Sequence, residues 1–175
     1  YLFVEGCIMD TGQDGILYIT KNGGYLYPIV LSTSEGLPYY YYNNQSYLPS
    51  KERIEEEISS YIEQTLSYCI DDFADFPDLN VTEEEADIQT IIIDEEVIIN
   101  AKYPLAVQKT DSVTRFSNFN DIRIIARMGA LYNSIEKIIQ EQSSSGICLS
   151  CISALAESGG FTIDFLGENN PKKRF

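Results

Sequence analysis

The sequence predicts an α+β domain in which antiparallel sheet packs against amphipathic helices. Three observations predict it. Residues 51–70 repeat apolar side chains at helical spacing, and from residue 87 onward the period drops to two. The chain has 175 residues and 44% apolar content, enough for one core, since domains close at roughly 100–200 residues. Residues 1–175 therefore read as a single domain. The first residue is Tyr1 rather than Met, so the chain is expected to be a matured product or a piece of something longer, cut short at one or both ends.

In residues 2–20, Val4, Ile8, Ile16 and Ile19 recur at steps of three and four, with Cys7 beside them and a skip at Gly12. This spacing predicts a helix that Gly23-Gly24 would end. Gly12 and Gly15 count against it, each costing about 1 kcal/mol inside a helix. The run from Tyr25 to Leu31 reads as a strand whose Pro28 suits a sheet edge. Glu35-Gly36 is a turn, and Tyr39 to Tyr42 read as a second short strand. Helix 51–70 carries the strongest signal. Ser50 can cap it, and Ile54, Ile58, Tyr61, Ile62, Leu66 and Cys69 form one stripe while Glu55, Glu56, Glu57 and Glu63 face mostly away.

Residues 71–78 are a loop. Ile88 to Ile93 is β-branched and strand-like. Asp94-Glu95-Glu96 turns the chain into a second strand in which Val97, Ile99, Ala101 and Tyr103 alternate with Ile98, Asn100 and Lys102. Pro104 is expected to bend that strand before residues 105–107. Lys109 to Asp111 turns it again into a third strand, Val113 to Phe119, completing a three-stranded meander. A helix over 127–142 follows from Met128, Leu131, Tyr132, Ile135, Ile138 and Ile139. A short helix over 147–158 presents Cys148, Cys151, Ile152 and Leu155. Phe161 to Leu166 reads as a further strand, followed by a turn at Asn169-Asn170-Pro171. A strand and a turn that lead only to Lys172-Lys173-Arg174-Phe175 predict either that the chain is cut short or that a partner supplies the neighbouring strand.

Charge is uneven. The chain has 27 acidic and 12 basic residues, a net charge of −15. Residues 52–96 hold 16 of the acids and a single base, Arg53, so this quarter of the chain accounts for the whole imbalance. Nucleic acid is excluded as a partner on this balance, because binding it depends on neutralising phosphates. Histidine is absent, which removes Ser-His-Asp and Cys-His nucleophile systems and His metal ligands. The longest uncharged runs, 22–34, 36–50 and 142–156, are too short or too polar for the roughly 20 apolar residues of a bilayer crossing. No membrane-spanning segment is expected within this chain; an anchor upstream of Tyr1 stays open.

Four cysteines, Cys7, Cys69, Cys148 and Cys151, fit two disulfides in an oxidising compartment. The pairing Cys7–Cys69 with Cys148–Cys151 is favoured, because the second is local and the first joins two predicted helices. The alternative is four buried thiols acting as small hydrophobes. Cys148-Leu149-Ser150-Cys151 is also the one redox-type motif, and thiol–disulfide exchange by this pair is the competing enzymatic reading. A polar linker precedes it where a strand would be expected. A zinc site from all four cysteines lacks the second short-spaced pair that structural zinc uses. Asp71, Asp72, Asp75 and Asp78, with Glu83, Glu84 and Glu85 nearby, are a weak Ca²⁺ candidate whose spacing does not match an EF-hand loop. The bland reading is a solvated acidic face. No cofactor is expected. Asn44 and Asn80 lie in glycosylation triplets, Asn44-Gln45-Ser46 and Asn80-Val81-Thr82.

The tyrosines point most directly to function. Thirteen occur, nine of them before residue 48. In a strand, Tyr39, Tyr40, Tyr41 and Tyr42 would alternate between faces, so two must be exposed unless both faces are covered. Tyrosine is enriched at interfaces, and Asn43, Asn44, Gln45 and Ser46 add adaptable hydrogen bonding. These four tyrosines are the candidate contact surface.

One set of motifs resembles a known group. Val4, Glu5 and Cys7 begin a helix that ends in Gly23-Gly24, and Tyr47 to Ser50 (Tyr-Leu-Pro-Ser) start another. Tyr103 to Leu105 (Tyr-Pro-Leu) and Cys148 to Cys151 complete the set. Together they resemble the uncharacterised extracytoplasmic domains of membrane-anchored archaeal proteins, over most of the chain. The resemblance implies a cell-surface location behind an N-terminal anchor and carries no activity or site residue with it. The expected role is a non-enzymatic extracytoplasmic structural or adhesive domain that contacts a protein or surface polymer. A self-assembling cell-envelope subunit is one form of it, using strand edges near Tyr25 to Tyr42 or Phe161 to Leu166.

Overall fold

The computed structural model describes residues 1–146 and 148–163. Helix α1 (Leu2–Lys21) buries Val4, Ile8, Thr11, Gly12, Gly15 and Ile19 along one face. The glycines that weaken this helix in sequence are its closest points of approach. A Cβ on Gly12 would overlap Ile99 Cδ1 and stand 2.8 Å from Ile124 Cδ1, and one on Gly15 would stand 2.9 Å from Tyr61 Cδ1. The helix ends where expected: Gly24 N–H donates to Ile19 O at 2.8 Å, with Gly23 and Gly24 both at positive φ.

The strand predicted over 25–31 does not form. Residues 25–40 are irregular apart from a single bridge between Ser32 and Pro38. Within the predicted strand 39–42, only Tyr41–Tyr42 (β1) is extended. It pairs with Gln45–Ser46 (β2) across a two-residue turn in which Asn43 and Asn44 both have positive φ. That is the geometry of a type I′ hairpin, for which asparagine is well suited.

Helix α2 (Lys51–Ile70) is capped by Ser50, whose hydroxyl accepts from Arg53 N–H. The Asp71–Phe73 turn follows it, then β3 (Asn80–Glu83), β4 (Asp87–Ile92), β5 (Glu96–Lys109) and β6 (Ser112–Ile125). The predicted meander is β4–β5–β6, with the third strand running past Phe119 to Ile125. One long strand, β5, is the spine. It pairs antiparallel with β6 on one side, and on the other with β4 and β3 end to end. Pro104 does not break β5. Its carbonyl accepts from Glu84 N–H at 3.1 Å, so its missing N–H faces the gap between β3 and β4, where no ladder bond is lost. Opposite β6, the register shifts between Lys102 and Leu105 take up the irregularity.

Val97, Ile99, Ala101, Tyr103 and Leu105 of β5 point inward with Ile88, Ile92, Phe119, Ile122 and Ile124. They meet Val4, Ile8 and Ile19 of α1 and Ile54, Ile58, Ile62, Leu66 and Ile70 of α2 in one apolar cluster. One sheet face is thus covered by two helices, and the other faces solvent. Helix α3 (Met128–Ser145) begins one residue later and ends three later than predicted. Its first turn docks on the β4–β5 turn, where Ala130 N–H donates to Asp94 O and Asn133 Nδ2 donates to Asp94 Oδ1. Helix α4 (Leu149–Ser158) folds back on α3 and buries Ile152 and Ala156. The predicted start of this helix at residue 147 lies outside the described residues. Residues 161–163 are not in a strand; residues 164–166 and the turn at 169–171 lie outside the described residues.

Two disulfides join Cys7 to Cys69 and Cys148 to Cys151. The first ties the opening turns of α1 to the end of α2. No helix among the described residues is long and apolar enough to cross a membrane.

Candidate functional site

The predicted contact residues sit on a folded-back segment, 25–47, held by a few buried anchors. Leu26 is buried, and its N–H donates at 3.0 Å to Glu57 Oε2. Glu57 is 7% exposed and also receives Arg53. This corrects the expectation that Glu57 faces water with its acidic neighbours. The carboxylate turns inward because the irregular chain beside it has a backbone N–H with no strand partner. Pro38 and the Tyr40 hydroxyl crowd Gly23, where a Cβ would meet Pro38 Cγ at 2.5 Å. Burial pushes the Tyr40 hydroxyl above the usual tyrosine range, and nearby Tyr25 adds to the effect.

Strand alternation does not set which rings are exposed. Tyr39 and Tyr42 are exposed, while Tyr40 and Tyr41 are half-buried. The outer pair leans together with ring centroids 5.6 Å apart. Four other large apolar side chains of the segment are also exposed: Tyr27, Val30, Leu37 and Tyr47. Two hydroxyls are fixed by amides, with Tyr27 donating to Gln64 Oε1 and Tyr47 to Gln45 Oε1, both at 2.8 Å. Glu35 is the only charged residue between Asn22 and Ser50. The sequence pointed to residues 39–42; Tyr27, Val30 and Leu37 were missed because the strand expected over 25–31 hid how that segment folds back. Asn44 is exposed at the hairpin tip, and Asn80 is exposed at the start of β3.

The Cys148–Cys151 pair is oxidised. Cys148 caps α4, and its Sγ accepts from Cys151 N–H at 3.2 Å. A helix hairpin carries the motif, and no strand leads into it. It brings no second titrating side chain to the sulfurs among the described contacts.

Two carboxylates and a hydroxyl on α2 bond the sheet. Glu55 Oε1 accepts from Ile92 N–H, Glu63 Oε1 from Ile88 N–H, and Ser59 Oγ from Thr90 N–H, at 2.8–3.1 Å. The three side chains, spaced four residues apart on α2, thereby close the outer edge of β4. Glu55 is half-buried, while Glu63 stays exposed as expected and still reaches the sheet edge with one carboxylate oxygen. Glu83 accepts from the Tyr103 hydroxyl; burial, with Glu83 next, pushes that hydroxyl well above the tyrosine range. Asp71, Asp72, Asp75 and Asp78 remain exposed. No group of three or more acidic or cysteine side chains that could hold a metal ion exists among the described residues.

A separate apolar hollow of about 370 Å³ opens between the start of α1, the 73–79 loop and the far ends of β5 and β6. Phe3, Phe73, Phe76, Val81, Val107 and Phe116 line it, with Lys109 as a charged member. Compared with known protein families, curated proteins and solved structures, the chain matches none.

Proposed function

We propose that this chain is a non-enzymatic, extracytoplasmic binding domain, and that its tyrosine-rich segment 25–47 is the face that meets another protein. One observation carries this reading: six large apolar side chains, four of them tyrosines, are exposed together on a segment with a single charge. Protein interfaces are depleted of charge at their centre and enriched in tyrosine, which gives contact area at low entropic cost. The placement outside the cytoplasm rests on the two disulfides, a type of bond that persists in oxidising compartments. It is also what the resemblance to anchored surface domains implies.

The test compares retention of the wild-type domain and of a Tyr39→Ala/Tyr42→Ala variant on envelope material from the source cells, before and after protease digestion of that material. Removing both rings is expected to weaken retention about tenfold or more, and digestion is expected to abolish it. Equal retention of the two proteins removes the tyrosine face from the reading. Binding that survives digestion transfers the role to a surface polymer. Self-assembly through this face would instead make light scattering rise with concentration in the wild type and not in the variant.

A further inference from the structure

Two polar triplets are left unused by the fold. Asn44-Gln45-Ser46 and Asn80-Val81-Thr82 each set an asparagine two residues before a hydroxyl, the pattern that N-linked glycosylation requires. A triplet alone says little, because a folded chain can turn either side chain inward or engage it. Here Asn44, Ser46, Asn80 and Thr82 are all exposed, and none of the four side chains makes a hydrogen bond among the described residues. Other side chains of these types are engaged. Asn100 Oδ1 accepts from Asp121 N–H, and Asn133 Nδ2 donates to Asp94 Oδ1. Thr11, Thr65 and Ser134 bond backbone carbonyls.

Both triplets also lie where the backbone opens at small cost. Asn44, at positive φ, is the second turn residue of the hairpin, and the strands that flank the turn are two residues each. A hairpin this short is marginal by itself. β3 is four residues long and pairs only with β5 among the described residues. Its Val81 is half-buried against the core, while Asn80 and Thr82 share the opposite, exposed face. Such elements open locally at a fraction of the free energy of global unfolding, which gives a transferase access to both triplets in the folded chain.

We propose that Asn44 and Asn80 each carry an N-linked oligosaccharide. Nδ2 of the asparagine attacks the anomeric carbon of a sugar chain held on a lipid phosphate. The new C–N bond replaces the C–O bond to phosphate, the lipid phosphate leaves, and the amide gives up one proton. Asn44 follows Tyr42 by two residues, so its oligosaccharide borders the tyrosine face. The inference rests on the placement outside the cytoplasm and does not depend on what that face binds.

Peptide mass mapping of the chain purified from the source cells tests it. Cleavage after Lys21 and Lys51 isolates residues 22–51 with Asn44, and cleavage after Arg53 and Lys102 isolates residues 54–102 with Asn80. Both peptides are expected to exceed their sequence masses by sugar increments. Asn44→Gln or Ser46→Ala is expected to strip the first peptide alone, Ser46→Thr to keep its addition, and Asn80→Gln or Thr82→Ala to strip the second alone. Two bare peptides in the wild type overturn the proposal, and one bare peptide removes its site. Added mass that survives Ser46→Ala and Thr82→Ala is a different modification and overturns it too. Alkylation before reduction separates this failure from failure of the placement. Bare peptides from a chain whose four cysteines resist alkylation leave the placement standing, and bare peptides from a chain with all four alkylated end both readings.

Discussion

Two glycines show how the same residue type is held by different neighbours. A Cβ on Gly12 would press on the terminal methyls of Ile99 and Ile124. Those can rotate away, and alanine recovers about 1 kcal/mol of helix propensity. A Cβ on Gly129 would stand 2.5 Å from Ile93 O and 2.7 Å from Ile93 C. That neighbour is backbone, fixed by the β4–β5 turn on which α3 docks, and it cannot rotate. Gly129→Ala is therefore expected to cost about 1–3 kcal/mol and to lower the melting temperature more than Gly12→Ala does. Equal melting temperatures for the two variants would contradict this account of how α3 is seated.

At the scale of elements, α2 does the work of a missing strand. Its apolar stripe faces the core while a second stripe, Glu55, Ser59 and Glu63, follows the edge of β4. Ser59→Ala would leave Thr90 N–H buried without its acceptor, a loss of about 1–3 kcal/mol, and would speed hydrogen exchange at Thr90. Glu56→Ala, on the exposed side of the same helix, is expected to change stability by no more than about 0.5 kcal/mol. Exchange at Thr90 unchanged by Ser59→Ala would remove the edge-closing role. The helix itself was legible because Ile54, Ile58, Ile62 and Leu66 repeat at helical spacing, and the meander because Val97, Ile99, Ala101 and Tyr103 recur at every second position. The edge closure was not, because a glutamate that bonds a backbone N–H and one that meets only water look alike in a sequence. The segment 25–31 misled for a related reason. Its apolar content resembles a strand, yet Leu26 is buried singly while Tyr27 and Val30 stay outside. Only the partner surface, supplied by Glu57 from 31 residues along the chain, decides between the two.

For the whole molecule, the Cys7–Cys69 bond closes a loop with a sequence separation of 62. Restricting the unfolded chain by a loop of that length is worth roughly 4 kcal/mol. A Cys7→Ser/Cys69→Ser variant is therefore expected to melt about 10 °C lower, while a Cys148→Ser/Cys151→Ser variant, which opens a much shorter loop, should lose less. The reverse ranking would mean that the long bond merely decorates a core already complete without it. The same bond has a mechanical consequence. A pull applied at the first residues passes through two sulfurs to the end of α2 after little more than a turn of helix. It bypasses everything between, including the segment that carries Tyr27, Tyr39 and Tyr42. While the sulfurs stay joined, tension can strip the sheet from the helices without unravelling that segment, so the surface displayed to the surroundings survives loads that open the rest of the molecule.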